Sequence, residues 1–464
     1  MKKQILYMVC ATALLSSCHI YKSYDRPDGI SAEGLYRDPV SMTDTLLAAD
    51  TTNFGNTPWR EVFTDPQLQA LIEQGLERNT DLRNAMLSVK MAQAPLLAAK
   101  LAFIPGLALS PQGTISSFDR SAATKTYSLP VTASWQVPLF GGLLNQKRGA
   151  GAALEQAKAY RQAVQTQIIA NIANMYYTLL MLDRQLDITR QTSDVLKRNT
   201  EVMEAMMQGA INGINSAGVE QSRAAYAQVM ASLPDLEQNI REVENALSIL
   251  LGDAPHSIAR STLDEQTLPS ELSAGVPLQL LANRPDVRVA EMSLAAAYYQ
   301  TNVARSNFYP NITLSGSAGW TNSAGAAIVN PAKFLASAIA SLTQPLFAHG
   351  ANIAQLKMAK AQEEQARNSF QQALLNAGGE VSNALSLYQR NSEKAEARDM
   401  QVKASKKASE DTKELFQLGT SSYLEVLSAQ QAYLSAQIAE VSDRYDQMQA
   451  VINLYQALGG GRND

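Results

Sequence analysis

Repetition within the chain is the sequence feature that most constrains its fold. Residues 81–85 (DLRNA) recur as residues 286–290 (DVRVA), and a Phe-x-Pro run at 103–105 recurs at 308–310, both 205 residues later. A Pro-Leu-Phe run also occurs once in each half. A period of 205 residues far exceeds that of solenoid repeats. We therefore predict a duplicated half, and hence a subunit with internal pseudo-two-fold symmetry.

Each half contains a long segment without proline, at residues 141–210 and 348–418. Apolar residues in both segments alternate between spacings of three and four. In the second segment they include Phe370, Leu374, Ala377, Val381, Ala384 and Tyr388. An average spacing of 3.5 is typical of coiled coils, and about 70 helical residues would form a rod of about 100 Å. After a turn that contains glycine, we predict an antiparallel helix in each half, at 219–251 and 421–458.

Short stretches of alternating polar and apolar residues lie between the helical segments. They span residues 107–117, 127–137, 311–320 and 335–343, with approximate ends. Their lengths match those of transmembrane β-strands, and aromatic residues favour the lipid–water boundary. We therefore predict four transmembrane strands. The predicted membrane-interface aromatics are Phe118, Tyr127, Trp135 and Trp320. Alternation alone also allows soluble hairpins with one wet face.

Four strands cannot close a barrel, so the predicted sheet needs partner chains. Two copies would supply about eight strands, which side chains can plug, whereas three would supply about twelve around an open lumen. We therefore predict a homotrimer. The fold class is mainly α-helical with transmembrane β-structure, in which a trimeric twelve-stranded barrel is continued by a long coiled-coil helical barrel.

The N-terminus has the layout of a secretory signal peptide. Lys2 and Lys3 precede a short apolar stretch and then small residues, so residues 1–17 are predicted to be removed. The run LSSC at 15–18 resembles a bacterial lipobox, which predicts a covalent lipid on Cys18. No later segment approaches 18 consecutive apolar residues, so any membrane crossing would have to use β-strands.

The composition argues against an enzyme and against a nucleic-acid-binding protein. The three histidines, His19, His256 and His349, share no metal-ligand spacing. Gly149 and Gly151 lack the third glycine of a dinucleotide loop. The formal charge of −4 gives no basic surplus for nucleic acid. We predict no catalytic residue, no metal site and no cofactor apart from the lipid.

Several motifs, in order along the chain, resemble those of one family. They are PW at 58–59, FTDPQL at 63–68, NTDL at 79–82, LANRPDV at 281–287, LGT at 418–420 and Pro-Leu-Phe in both halves. The mature chain resembles the TolC-like outer-membrane factors of tripartite efflux systems, within the lipid-anchored branch that serves resistance-nodulation-division pumps.

The resemblance implies a location and partners. The chain would lie in the outer membrane of a Gram-negative bacterium, with most of its length in the periplasm. It would bind outer-membrane lipid, a periplasmic adaptor protein and an inner-membrane pump, and act as a passive exit duct for drugs or other small toxic compounds. Protein secretion, metal-ion efflux and an envelope coiled-coil scaffold remain alternatives.

The resemblance also implies a gate at the periplasmic helix turns. The acidic closing ring of the family corresponds to Glu425, with Ser428 where relatives often have a second carboxylate. Further gate candidates are Phe416, Ser421 and Gly218. Ser422 and Glu425 also fit a capping box, so a purely structural role for Glu425 stays open.

The predicted organisation follows from these segments. It comprises a signal peptide (1–17), a lipid-anchored extended equatorial segment (18–65), a first repeat (66–252), a linker (253–276), a second repeat (277–458) and a C-terminal tail (459–464).

Overall fold

The computed structural model describes residues 21–27, 54–117, 119, 122–137, 139–209, 215–267, 284–322 and 333–461. The predicted signal peptide, Cys18 and Phe118 lie outside the described residues. The helices are α1 (Trp59–Val62), α2 (Pro66–Arg78), α3 (Thr80–Leu101), α4 (Gly142–Gln208), α5 (Ser216–Leu250), α6 (Pro285–Ser306), α7 (Ala351–Gln417) and α8 (Tyr423–Ala457). The strands are β1 (Gly106–Leu109), β2 (Gln112–Ser116), β3 (Thr124–Val137), β4 (Asn311–Asn322) and β5 (Lys333–Thr343).

Helix lengths confirm the predicted duplication. Helices α3 and α6 each have 22 residues. Helices α4 and α7 each have 67 residues, and α5 and α8 each have 35. At about 1.5 Å per residue, the 67-residue helices are each about 100 Å long. Both the order and the lengths of the main elements are therefore repeated.

The chain divides into two compact units. Unit 1 comprises residues 1–31, 86–160 and 288–373, and unit 2 comprises residues 32–85, 161–287 and 374–464. Unit 1 contains the β-sheet, and unit 2 contains both helix turns.

The sheet of unit 1 is antiparallel throughout its described part. Strands β1, β3, β4 and β5 are neighbours in that order, and β2 pairs with β3 beside β1. The first predicted strand, 107–117, is therefore two strands. Pro111, which has no N–H to donate to the ladder, lies between them. The other three predicted strands are present with slightly extended ends.

The largest apolar cluster of unit 2 surrounds a buried carboxylate. Trp59, Ile172 and Tyr455 are among its fully buried side chains. Asp65 caps α2 by accepting a hydrogen bond from the Gln67 backbone N–H at 2.8 Å. Part of the segment predicted to be extended thus forms α1 and a 3₁₀ helix, because its aromatic residues belong to this core.

Three side chains from distant parts of the sequence donate hydrogen bonds to Asp65. The Tyr176 hydroxyl lies 2.6 Å and the Gln266 amide nitrogen 2.8 Å from Asp65 Oδ2, which Ser261 also contacts. Burial alone would raise the pKa of Asp65, but these hydrogen bonds outweigh it and hold the pKa below its ordinary value. The carboxylate is therefore charged and joins α2, α4 and the segment that follows α5.

None of the described helices combines the length and apolar character needed to cross a bilayer.

Candidate functional site at the helix turns

Two turns in unit 2 reverse the chain between long helices. Residues 210–214 of the first turn lie outside the described residues, whereas the second turn is described completely. There α7 ends at Gln417 and is followed by Gly419, which has a φ of +76° and donates its N–H to the Phe416 carbonyl at 3.0 Å. A left-handed glycine is a common helix terminator because it has no Cβ to clash. Glycine thus ends α7 where the sequence predicted the turn.

The helices next to the turns share a small apolar cluster. Its buried members are Leu196, Met203, Val219, Ala225, Tyr423, Val426 and Leu427. Phe416 packs against this cluster, and its ring meets the Tyr423 ring edge-to-face at 5.7 Å between centroids. A methyl group added at Gly218 would lie 3.3 Å from Met203 Cε, so α4 and α5 approach closely there. The cluster joins the α4–α5 and α7–α8 pairs.

A chain of hydroxyl groups runs through the same cluster. Thr200 Oγ1 lies 2.7 Å from Ser222 Oγ, which lies 2.8 Å from the Tyr423 hydroxyl oxygen. All three residues are buried, and Thr200 also donates to the Leu196 carbonyl. Burial raises the pKa of Tyr423, so the phenol stays protonated. The chain connects α4, α5 and α8 through neutral groups.

Sequence reasoning did not identify this hydroxyl chain. One signal was available, because Ser222 occupies an apolar position of the 3-4 spacing between Val219 and Tyr226. A polar residue at a buried coiled-coil position needs a hydrogen-bond partner, which here comes from two other helices.

A groove of about 520 Å³ beside the turns brings together three of the predicted gate residues. Gly218, Phe416 and Ser421 all line it. Gly218 lies in the first turn of α5, where its N–H donates to the Asn215 side chain at 3.1 Å. The predicted candidates from the two turns are therefore neighbours.

Glu425 forms the capping box that the sequence allowed. The Ser422 N–H donates to Glu425 Oε2 at 3.1 Å, the Glu425 N–H donates to Ser422 Oγ at 3.4 Å, and the Ser421 hydroxyl also donates to Oε2. These bonds from Ser421 and Ser422 lower the pKa of Glu425. The side chain is nevertheless exposed, so Glu425 is an ionised, solvent-facing carboxylate.

Ser428 follows Glu425 by three residues and is also exposed. Residues three apart lie on one helix face. Val426 and Leu427 are buried, so Glu425 and Ser428 share the side of α8 that faces away from the apolar cluster. This side is exposed to solvent.

Three of the four predicted interface aromatics, Tyr127, Trp135 and Trp320, share one face of the sheet in unit 1. Trp135 pairs with Leu314 near one end of β3, whereas Trp320 pairs with Leu129 near the other end, close to Tyr127. Trp320 also meets Phe334 of β5 edge-to-face at 5.9 Å. Eight residues of strand separate Tyr127 from Trp135, or about 27 Å along the strand. At the tilt of about 40° that transmembrane strands have, this length corresponds to a height of about 20 Å, somewhat less than an apolar band about 25 Å tall.

In the described part of the chain, no three histidine, cysteine or acidic side chains are grouped as metal ligands would be. The described site consists of helix packing, hydroxyl hydrogen bonds and exposed carboxylates, among which Glu425 lies in the first turn of α8.

Comparison with known proteins places these features in a family. The model of the family described as "Outer membrane efflux protein" matches residues 71–253 and 276–460. The chain is 28% identical over 455 residues to the cation efflux system protein CusC of Escherichia coli O6:H1, covering 97% of each chain. It is 26% identical over 470 residues to the probable outer membrane lipoprotein SilC of Salmonella typhimurium, covering 99% of each.

A solved structure supports the same assignment. The outer-membrane channel OprN matches with a TM-score of 0.86 and 26% identity, over 96% of this chain and 100% of OprN. The predicted fold class is confirmed, and the match favours a channel over an enzyme or a scaffold. The chain belongs to the outer membrane efflux protein family, and is a subunit of an outer-membrane efflux channel.

Proposed function

We propose that three copies of this chain form the exit duct of a tripartite efflux pump, closed at the helix turns of unit 2. The observation that carries the proposal is the arrangement at the second turn. An exposed carboxylate, Glu425, stands beside a cluster that joins two helix pairs through neutral hydroxyl bonds. A duct of this kind would receive substrate from an inner-membrane pump through a periplasmic adaptor protein.

The strands of unit 1 support the trimer. In the described sheet, β5 lies at one edge and β1 and β2 lie at the other, so the sheet has two different free edges. Three copies joined edge to edge would enclose an open lumen, whereas two would supply about eight strands. Helix pairs from the same three copies would then build the periplasmic tube.

Conductance across a planar bilayer tests the duct directly. The purified protein should produce unit conductance steps, and native mass measurement in detergent should show three chains. A protein that inserts but never conducts would contradict the proposal. A conducting monomer, or an assembly that stops at two chains, would contradict its trimeric form.

The substrate proposed is a drug or another small toxic compound. Metal cations are the second candidate, because the relative CusC is named a cation efflux system protein. Deletion of the gene, followed by growth in the presence of organic antibiotics or of a panel of metal salts, separates the two. Sensitivity to metal salts alone would favour the second candidate.

We also propose that the chain is held in the outer membrane by a lipid on Cys18, as well as by its strands. The lipobox supports this, and the relative SilC is named a lipoprotein. A Cys18→Ser variant should lose incorporation of labelled fatty acid. Labelling that persists in this variant would place the lipid on another residue, and a parent protein without label would exclude the lipid.

A further inference from the structure

A surface groove of about 480 Å³ in unit 1 is built from three stretches of the chain. The N-terminal segment (residues 21–27), α6 and α7 all contribute side chains to its lining. Leu294 and Tyr298 of α6 form part of the lining, and charged side chains from all three stretches supply most of the rest. We call this the α6–α7 groove.

The N-terminal segment is fixed along α6 by hydrogen bonds. The Tyr24 backbone N–H donates to the Tyr299 hydroxyl at 3.1 Å, and Arg26 Nε and Nη2 donate to the two carboxylate oxygens of Glu291 at 2.8 and 2.9 Å. Residue numbers rise along the segment as they fall along α6, so the two run antiparallel. Since α6 ends just before β4, the start of the N-terminal segment lies nearest to the sheet.

Helix α7 also runs antiparallel to α6. The Thr301 hydroxyl donates to the Ala359 carbonyl at 3.2 Å, and the Asn307 amide donates to the Gln355 amide oxygen at 3.1 Å. Helix α7 begins shortly after β5, so its first residues lie beside the last residues of α6 and nearest to the sheet. Position along these two helices therefore gives the distance from the sheet.

The charges in the groove are ordered along this direction. Two cations, Arg305 and Lys360, lie nearest to the sheet. The carboxylates of Glu363 and Glu364 follow on α7, and Asp25 of the N-terminal segment lies on the same side of the cations. Four helical residues separate Lys360 from Glu364, or about 6 Å along the axis. A cationic level therefore precedes an anionic level.

The groove charges on α7 do not neutralise one another. In the part of the chain that the structure describes, neither Lys360 and Glu364 nor Glu363 and Arg367 form an ion pair, although each pair is four residues apart. Arg305 donates to a neutral side-chain amide of its own helix at 2.9 Å. The groove thus presents charges of both signs that are free to bind a ligand.

The sequence shows the same charge boundary on a larger scale. Between Glu291 and Glu363 there is no acidic residue, although the chain contains 43 and this stretch contains four lysines and arginines. Between Asp81 and Glu155 the only acidic residue is Asp119. Both stretches include the strands. Carboxylates are therefore scarce on the sheet side of the groove, which suits a surface that meets the phosphates of a membrane.

We propose that the α6–α7 groove binds the headgroup of a phospholipid in which a primary ammonium follows the phosphate diester, as in phosphatidylethanolamine. Arg305 and Lys360 hold the phosphate, and Glu363, Glu364 and Asp25 accept hydrogen bonds from the ammonium. In a leaflet that faces the periplasm, the phosphate lies nearer to the hydrocarbon and the ammonium nearer to the periplasm. The order of charges in the groove is the same.

The chemistry of the headgroup distinguishes this lipid from others. A two-carbon linker joins its phosphate to its ammonium, which suits charges about one helical turn apart. Phosphatidylglycerol has no cation for the carboxylates, and the quaternary ammonium of phosphatidylcholine has no N–H to donate. The N-terminal segment begins three residues after Cys18, so the proposed lipid on that residue turns the groove toward the membrane, and in this respect the inference rests on the proposed function.

Lipid titration of the purified full-length protein in detergent, followed by native mass spectrometry, tests the site. The parent should bind phosphatidylethanolamine about tenfold more tightly than phosphatidylglycerol, the effect of gaining a charge-assisted hydrogen bond. Arg305→Gln/Lys360→Gln should weaken the binding of both lipids by about tenfold. Glu363→Gln/Glu364→Gln should weaken only phosphatidylethanolamine and abolish the preference.

Two control variants separate the site from general charge effects. Arg305→Lys/Lys360→Arg keeps both charges and should bind as the parent does. Lys406→Gln/Lys413→Gln removes two exposed lysines near the other end of α7 and should also leave binding unchanged. Equal affinity of the parent for the two lipids, or equal binding by the parent and both groove variants, would overturn the site.

Two further measurements identify what fails if the proposal fails. Displacement of the lipid by inorganic phosphate at the same concentration would assign the groove to free anions and overturn the lipid. Conductance and the number of chains should match the parent in every variant, so a groove that does not bind lipid leaves the duct intact. A parent protein that never conducts would instead contradict the duct itself.

Discussion

Two polar sites within unit 2 are both surrounded by apolar side chains but are built in opposite ways. The Asp65 site holds a buried charge on which Tyr176, Ser261 and Gln266 converge. The hydroxyl chain in the interior of the turn site is neutral, and the charge of Glu425 beside it is exposed. A buried carboxylate with several donors is costly to disturb, whereas neutral hydroxyl bonds each contribute about 1 kcal/mol. The first site therefore suits a fixed part of the molecule and the second a part that rearranges.

The largest expected effect follows from removing the buried carboxylate. Asp65→Ala should lower the free energy of unfolding of the solubilised protein by about 3 kcal/mol or more, because its donors lose a charged acceptor. Thermal unfolding followed by circular dichroism measures the change. Asp81→Ala, at an exposed position in the first turn of α3, is the control and should have a much smaller effect. Equal losses in Asp65→Ala and Asp81→Ala would show that the buried carboxylate contributes no more to stability than an exposed one.

The same carboxylate should make stability depend on pH. The pKa of Asp65 is lower in the folded protein than in the unfolded chain, so its contribution is complete above the unfolded value of about 3.9. It is lost as the pH falls through the folded value. The stability difference between the parent and Asp65→Asn should therefore shrink as the pH is lowered below about 4. A stability difference between the parent and Asp65→Asn that grows on acidification would contradict the conclusion that Asp65 stabilises the fold as a charged carboxylate.

The turn site should respond with a smaller loss of stability and a larger change in gating. Ser222→Ala and Tyr423→Phe each break the hydroxyl chain and should cost about 1 kcal/mol, or about fivefold in the ratio of closed to open channel. The fraction of time spent open in bilayer recordings measures this ratio. Ser232→Ala is the control, because Ser232 bonds to a carbonyl of its own helix. If Ser222→Ala and Tyr423→Phe leave the open fraction unchanged, as the control does, the hydroxyl chain has no role in gating.

The helices and the duplication were predictable because their signals are local and repeated. A spacing of 3.5 residues without proline specifies a long helix wherever it occurs, and glycine with positive φ ends or begins it. The bounds of α4, α5, α7 and α8 accordingly lie within three residues of the predictions. Glu425 was found by resemblance, and its capping box by the Ser-x-x-Glu spacing.

Features that depend on distant residues were not predictable in the same way. The hydroxyl chain joins three helices, and the donors to Asp65 come from two regions more than 100 residues away. The interruption at Pro111 was readable in principle, since proline lacks the donor a strand needs. In the second half, Ala348 and His349 lie between the Pro-Leu-Phe run and Gly350, whereas Gly141 follows the first run directly. No local rule indicated that these two residues are an insertion.

Single-channel recording of Glu425→Gln decides whether the chain forms a gated duct with the turn at its mouth. Neutralising three copies of an ionised carboxylate in a narrow opening should reduce cation preference and weaken block by divalent cations. Ser422→Ala removes the helix cap but keeps the charge, so it should cost about 1 kcal/mol of stability and leave selectivity unchanged. Glu396→Gln, at an exposed position within α7, is the charge-matched control. We predict altered selectivity in Glu425→Gln alone. Selectivity and block that match the parent, with only stability reduced, would show that Glu425 is a cap and that the turn is not the mouth of the duct.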